Sequence, residues 1–113
     1  MTKILAIDDS IVILARIKKI LEKGNYEVIT ADSGPNGLKQ LGEHPDTKLL
    51  IVDFNMPGMD GLTMISKMKE TQLLKDQIIF MCTTESSEHM QKLGRELGVK
   101  AWIVKPIPFN LPA

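Results

Sequence analysis

The chain has 113 residues, 43% of them hydrophobic, which is enough for one domain with a single hydrophobic core. Its 14 basic residues balance its 14 acidic ones, and it has a single cysteine, so the composition argues against direct nucleic-acid binding, an internal disulfide and a cysteine-based zinc site. The longest uncharged apolar stretch, residues 78–84, is too short to span a bilayer, and no signal peptide follows Met1, so we expect a cytoplasmic protein without a membrane anchor.

The first half of the chain predicts two strands, each followed by a helix. Residues Lys3–Ile7 form an apolar run without alternation, which is typical of a strand buried on both faces. Residues Ile11–Lys23 follow a helical period, and Gly24 ends that helix. The second strand is predicted over Glu27–Ala31. A short helix is predicted to open at residues 34–37, to run through Leu38 and Leu41, and to be ended by Pro45 and Asp46. The inward face of the first helix is predicted to hold Ile13, Ile17, Ile20 and Leu21.

The second half repeats the pattern with three more strands, over residues 49–52, 78–82 and 101–104. Asp60 and Ser86 are suitable N-caps for the two helices between these strands. The residues predicted to face inward are Leu62, Ile65 and Met68 on one helix and Met90, Leu93 and Leu97 on the other. Strands that alternate with helices at short connections predict an α/β domain with a parallel sheet and right-handed crossovers.

Four of the predicted strands end in chemically active residues, namely Asp8 with Asp9, Asp53, Thr83 and Lys105. Because the carboxyl ends of parallel strands lie along one edge of a sheet, we expect these side chains to converge. Carboxylates so close together repel one another unless protons or a cation join them, and an oxygen-only ligand set favours Mg²⁺. Three carboxylates, Mg²⁺ and one lysine have formal charges that cancel. Such a site suits phosphoryl transfer, with a carboxylate as nucleophile.

The motifs at these strand ends together resemble those of the receiver domain of two-component response regulators, most closely the single-domain chemotaxis type. The resemblance runs from residue 3 to residue 106, and it is carried by IDDS at 7–10, VDFNMPGMDG at 52–61, Thr83, and Lys105 followed by Pro106. It implies a flavodoxin-like, doubly wound, five-stranded parallel sheet in the order 2-1-3-4-5. It also implies a single receiver domain over residues 1–113.

The same resemblance implies a role for each residue of the site. Asp53 would be the phosphoacceptor. Mg²⁺ would be bound by the side chains of Asp9 and Asp53, by the carbonyl of Asn55, and by Asp8 through water. Lys105 and Thr83 would contact the phosphoryl group, and Asn55 and Glu85 would tune its lifetime, which we expect to be short.

The implied function is that of a signalling switch rather than an enzyme. A partner histidine kinase or phosphotransfer protein would phosphorylate Asp53, and the protein would catalyse only its own phosphorylation and dephosphorylation. The surface near the fourth helix and fifth strand would then change and control a downstream protein target. Trp102 stands at the switch position, where the family usually has Tyr or Phe, and we expect its indole to respond to the state of Asp53.

The last residues depart from the family pattern. Residues 106–113 contain three prolines and therefore cannot form the family's fifth helix. We expect the apolar side chains on that side, among them Ala101 and Ile103, to lose cover. A protein partner or a second copy of the chain, forming a dimer, would then cover them.

Two other functions are weighed against the switch. An Mg²⁺-dependent phosphohydrolase with an aspartyl nucleophile needs a second acid two residues after it, where this chain has Asn55. A nucleotide or flavin binder on the same fold needs a glycine-rich phosphate loop, and no such loop follows any predicted strand. The sequence therefore favours the switch, although it names neither the kinase nor the target.

Overall fold

The structure, a computed structural model, describes residues 1–84 and 87–105. The elements in chain order are β1 (Lys3–Ile7), α1 (Ile11–Lys23), β2 (Glu27–Ala31), α2 (Gly34–Glu43), β3 (Leu49–Asp53), α3 (Gly61–Glu70), β4 (Ile78–Thr83), α4 (Glu88–Glu96) and β5 (Val99–Val104). The predicted alternation of strands and helices is confirmed. The fifth strand was predicted too short, since β5 begins at Val99 rather than at Ala101.

The five strands form one parallel sheet in the order β2-β1-β3-β4-β5, as predicted. The strand order therefore reverses at β1, which pairs with both β2 and β3. Since Ile7 is aligned with Val52 in that pairing, the residues that follow them, Asp8 and Asp53, are neighbours at the carboxyl edge. This switch point is where open α/β sheets bind their ligands.

Two apolar clusters hold the helices against the two faces of the sheet. The larger one joins β1, β3 and β4 to α2 and α3, and the α3 side chains Met64, Ile65 and Met68 are inaccessible to solvent. The smaller one places Leu14 and Ile17 of α1 on the opposite face. Burying such side chains contributes about 1.5–3 kcal/mol each.

The inward faces of the helices differ in part from the prediction. Leu14, which was not predicted to face inward, is more buried than Ile20, and Leu62 is only half-buried. Leu93 of α4 is 40% exposed, whereas Gly94 is buried. The reason is geometric, because α4 meets β5 through a glycine, and the helix is turned so that its neighbouring leucine points outward.

The helix starts follow the expected capping chemistry. The carboxylate of Asp60 accepts the N–H of Thr63 at 2.8 Å, which confirms the predicted cap of α3. The N-cap of α4 is Ser87, one residue after the predicted position, and its hydroxyl accepts the N–H of Met90 at 3.1 Å.

Some predictions lie outside the described residues. These are the loss of the fifth helix over residues 106–113, and with it the partner or second copy expected to cover that side. Ala101 and Ile103 are half-buried. Within residues 1–84 and 87–105, no helix is long and apolar enough to cross a membrane.

Candidate functional site

Three carboxylates meet at the carboxyl edge of the sheet, as the sequence predicted. One carboxylate oxygen from each of Asp8, Asp9 and Asp53 lies within 4.8 Å of the other two. Asp8 and Asp53 are buried, and Asp9 is exposed at the rim. This group of oxygens, with no nitrogen or sulfur donor in it, fits a hard divalent cation such as Mg²⁺.

The environment of Asp8 shows how costly this crowding is without a cation. Burial raises the pKa of Asp8 to about 6, and the negative charges of Asp53 and Asp9 act in the same direction. The N–H of Ser10 donates to Asp8 Oδ1 at 2.8 Å and opposes the rise. Ser10 also caps α1 through its hydroxyl, so one residue orients the carboxylate and starts the helix. This cap was not predicted, although a serine directly before a helix is a recognisable capping signal.

Asp53 has two carboxylate oxygens in very different positions. Oδ1 accepts Nζ of Lys105 at 2.6 Å and the N–H of Asn55 at 3.1 Å. Oδ2 is buried and has no hydrogen-bond partner among the described residues. A buried oxygen of this kind is destabilising unless a further group binds it. The site is therefore suited to a cation or to an incoming electrophile at Oδ2.

Lys105 is held beside Asp53 by the backbone as well as by its side chain. Its N–H donates to the carbonyl of Thr83 at 2.7 Å, at the end of the β4–β5 pairing. Partial burial lowers the pKa of Lys105, but the hydrogen bond and charge of Asp53, together with Asp8, leave it above the ordinary value. The ammonium is therefore charged at neutral pH and can follow a group added to Asp53.

The loop after Asp53 is shaped by two glycines. Gly58 has φ of 82°, in the left-handed region that glycine adopts without strain. Gly61 begins α3 directly against the backbone of β3, where an added Cβ would lie 2.7 Å from the carbonyl oxygen of Asp53. Close packing of this kind holds Asp53 in one position beneath the loop.

Thr83 is fully buried, and its hydroxyl donates to Oδ1 of Asn55 at 3.4 Å. The same amide oxygen accepts the N–H of Thr84 at 3.0 Å and the hydroxyl of Thr84 at 3.3 Å. Asn55 therefore joins the loop after β3 to the loop after β4. The sequence placed Asn55 and Thr83 at the same edge of the sheet, but it did not predict these hydrogen bonds or any part for Thr84.

Trp102, the predicted switch residue, is half-buried on β5 and packs against the larger core cluster. Gly94 of α4 lies against its ring, since an added Cβ there would be 2.8 Å from Cζ3 of the indole. Glu85, the other residue expected to tune the phosphoryl lifetime, lies outside the described residues.

Comparisons with known proteins show the family and the fold to which this chain is similar. A family model described as the response regulator receiver domain matches residues 4–111. The chemotaxis protein CheY1 of Helicobacter pylori is 37% identical over 105 residues, which are 92% of this chain and 85% of the relative. The crystallised chemotaxis response regulator CheY4 of Vibrio cholerae superposes with a TM-score of 0.88 at 34% identity, over 96% of this chain and 90% of that one. A CheX–CheY–BeF₃–Mg²⁺ complex from Borrelia burgdorferi contains a chain that superposes with a TM-score of 0.86 at 27% identity, over 96% of this chain and 81% of that one.

Proposed function

The chain belongs to the response regulator receiver family and serves phosphorylation-based signalling, and on this premise we propose that Asp53 is its phosphoacceptor. The observation that carries the proposal is the pair of unlike oxygens on Asp53. One is held by Lys105, and the other is buried without a partner among the described residues. A carboxylate arranged in this way is suited to bind a cation or to accept a phosphoryl group at Oδ2.

We propose that the phosphoryl group comes from a phosphohistidine of a partner kinase or phosphotransfer protein. A carboxylate oxygen of Asp53 attacks the phosphorus, the bond from phosphorus to the imidazole nitrogen breaks, and the electron pair of that bond stays on the imidazole. Lys105 then neutralises part of the charge on the transferring oxygens.

Mg²⁺ is proposed as the cofactor, held by Asp8, Asp9 and Asp53 with the carbonyl of Asn55. When bound, it would balance the carboxylates and stabilise negative charge on the transferring phosphoryl group. The cluster of three carboxylate oxygens within 4.8 Å supports this assignment. In the Borrelia complex, a related chain is found together with BeF₃ and Mg²⁺.

The proposed response to phosphorylation runs through Thr83 and Trp102. Phosphorylation adds charge and acceptor oxygens at Asp53, which favours the movement of the Thr83 hydroxyl toward them. The bond of that hydroxyl to Asn55 is long, at 3.4 Å, so this bond contributes little to keeping it in place. Trp102 lies on β5, the strand adjacent to that of Thr83, and packs against Gly94 of α4, so it is the residue proposed to carry the change to that helix. The α4–β5 surface would then control a downstream protein.

The test is Mg²⁺-dependent labelling with acetyl phosphate, comparing the wild type with Asp53→Asn. We expect one phosphoryl group per wild-type chain and none on the variant. Asp60→Asn is the matched control, because it changes an acid of the same loop that serves as a helix cap, and asparagine caps equally well. Equal labelling of wild type and Asp53→Asn would rule out the proposal, and sustained turnover of phosphate monoesters would favour a hydrolase.

A second measurement tests the switch. Trp102 is the only tryptophan, so its fluorescence reports on β5 directly. We expect its emission to change when BeF₃⁻ is added with Mg²⁺, and to stay constant in Asp53→Asn. A wild-type chain that binds BeF₃⁻ without any change in emission would separate Trp102 from the response.

A further inference from the structure

Three hydrogen-bond donors converge on a single oxygen, Oδ1 of Asn55. They are the N–H of Thr84 at 3.0 Å, the hydroxyl of Thr84 at 3.3 Å and the hydroxyl of Thr83 at 3.4 Å. A carbonyl oxygen has two lone pairs, so it cannot satisfy three donors equally. The two hydroxyl bonds are both longer than the range of about 2.5–3.0 Å that is usual for such bonds.

The distances indicate how the oxygen is shared. The backbone N–H of Thr84 makes the shortest of the three bonds. The two hydroxyls therefore compete for the remaining lone pair of the oxygen. The Thr83 hydroxyl is the one that must leave Asn55 when a phosphoryl group forms on Asp53. Any donor that weakens its bond to Asn55 therefore makes that departure easier.

We infer that Thr84 is a positioning residue of the switch, and this inference rests on the function proposed above. Its hydroxyl competes with that of Thr83 for Asn55 Oδ1 and so weakens the bond between Thr83 and Asn55. Without the Thr84 hydroxyl, Thr83 takes the second lone pair for itself and is held more firmly in the unphosphorylated state. The role depends on the hydroxyl and not on the size of the side chain.

The experiment is a titration with BeF₃⁻ in the presence of Mg²⁺, followed by ¹⁹F NMR of the bound species. Thr84→Val keeps the shape of the side chain but removes the hydroxyl, while Thr84→Ser keeps the hydroxyl and removes a methyl group. Thr84 is exposed, so both variants should fold as the wild type does. We expect affinity to fall about threefold in Thr84→Val, because part of one hydrogen bond is at stake. Thr84→Ser should bind as the wild type does.

A second background shows whether the effect passes through Thr83. In Thr83→Ala, adding Thr84→Val should change the affinity no further, because the competing hydroxyl is gone. An unchanged affinity in Thr84→Val, or the same threefold loss in both backgrounds, would overturn the inference while leaving the proposed function intact. A wild-type chain that fails to bind BeF₃⁻ at all would refute the proposed function, and the inference with it.

Discussion

The contact between Gly94 and Trp102 makes a quantitative prediction about the variant Gly94→Ala. Gly94 is the buried residue of α4, and an added Cβ would lie 2.8 Å from Cζ3 and 3.3 Å from Cε3 of the indole. It would also lie 3.6 Å from Cβ of Val99, which is ordinary contact. The indole is rigid, so the ring or the helix must move as a whole.

Two opposing effects decide how much Gly94→Ala changes the free energy of unfolding. Alanine is favoured over glycine inside a helix by about 0.5–1 kcal/mol. Overpacking against a rigid neighbour costs about 1–3 kcal/mol. From the midpoints of these two ranges, we expect Gly94→Ala to lower the free energy of unfolding by about 1 kcal/mol.

The matched control is Gly42→Ala in α2. There an added Cβ would meet only Cδ2 of Leu73, at 3.8 Å, so the gain in helix propensity is not opposed. We expect this variant to be more stable than the wild type by about 0.5–1 kcal/mol. The two substitutions are chemically identical, so an opposite sign isolates the effect of the indole.

Urea denaturation monitored by far-UV circular dichroism measures both changes, and the emission of Trp102 reports movement of the ring. In a Trp102→Phe background, where the ring is smaller, Gly94→Ala should become stabilising. If Gly94→Ala stabilises the protein as much as Gly42→Ala does, with an unshifted emission spectrum, then the indole does not oppose the added methyl group.

Three further predictions concern charged residues. Burial raises the pKa of Asp8 to about 6 from an ordinary 3.8, so the folded state retains a proton that the unfolded state releases. Metal-free protein should therefore lose stability as the pH rises between those values, and Asp8→Asn should not, in urea denaturation without Mg²⁺. Lys105→Met leaves the carboxylate of Asp53 buried without the lysine that pairs with it. In metal-free protein this should lower the free energy of unfolding by about 1.5–3 kcal/mol. Added Mg²⁺ should restore part of that loss in urea denaturation. Lys3→Met removes the 3.0 Å ion pair with Asp46, whose pKa the hydrogen bond from Lys3 lowers. At pH 7 the Lys3→Met variant should be less stable than the wild type. This difference in stability should shrink as the pH falls below 3.8 and Asp46 takes up a proton, as a series of thermal melts can show.

The sequence predicted most of the fold because the signals are local and repeated. Most strands of the sheet are short apolar runs, and four of the five are marked at their ends by an acid, a threonine or a lysine. Caps such as Asp60 and Gly24 depend on backbone groups within one turn, so residue type alone is informative there. The helix faces were less predictable. The prediction that Leu93 faces inward was wrong, because tertiary packing rather than periodicity orients α4.

The candidate site divides in the same way. The residues that gather at the carboxyl edge could be predicted from the strand pattern, since parallel strand ends must share that edge. Their arrangement could not be predicted, and it includes the buried Oδ2 of Asp53, the sharing of the Asn55 oxygen by Thr83 and Thr84, and the packing of Trp102 against Gly94. These contacts join elements far apart in the chain, and they depend on strand register and helix placement to within about an ångström. No spacing along a single element encodes that placement, because it is set by the packing of the whole core.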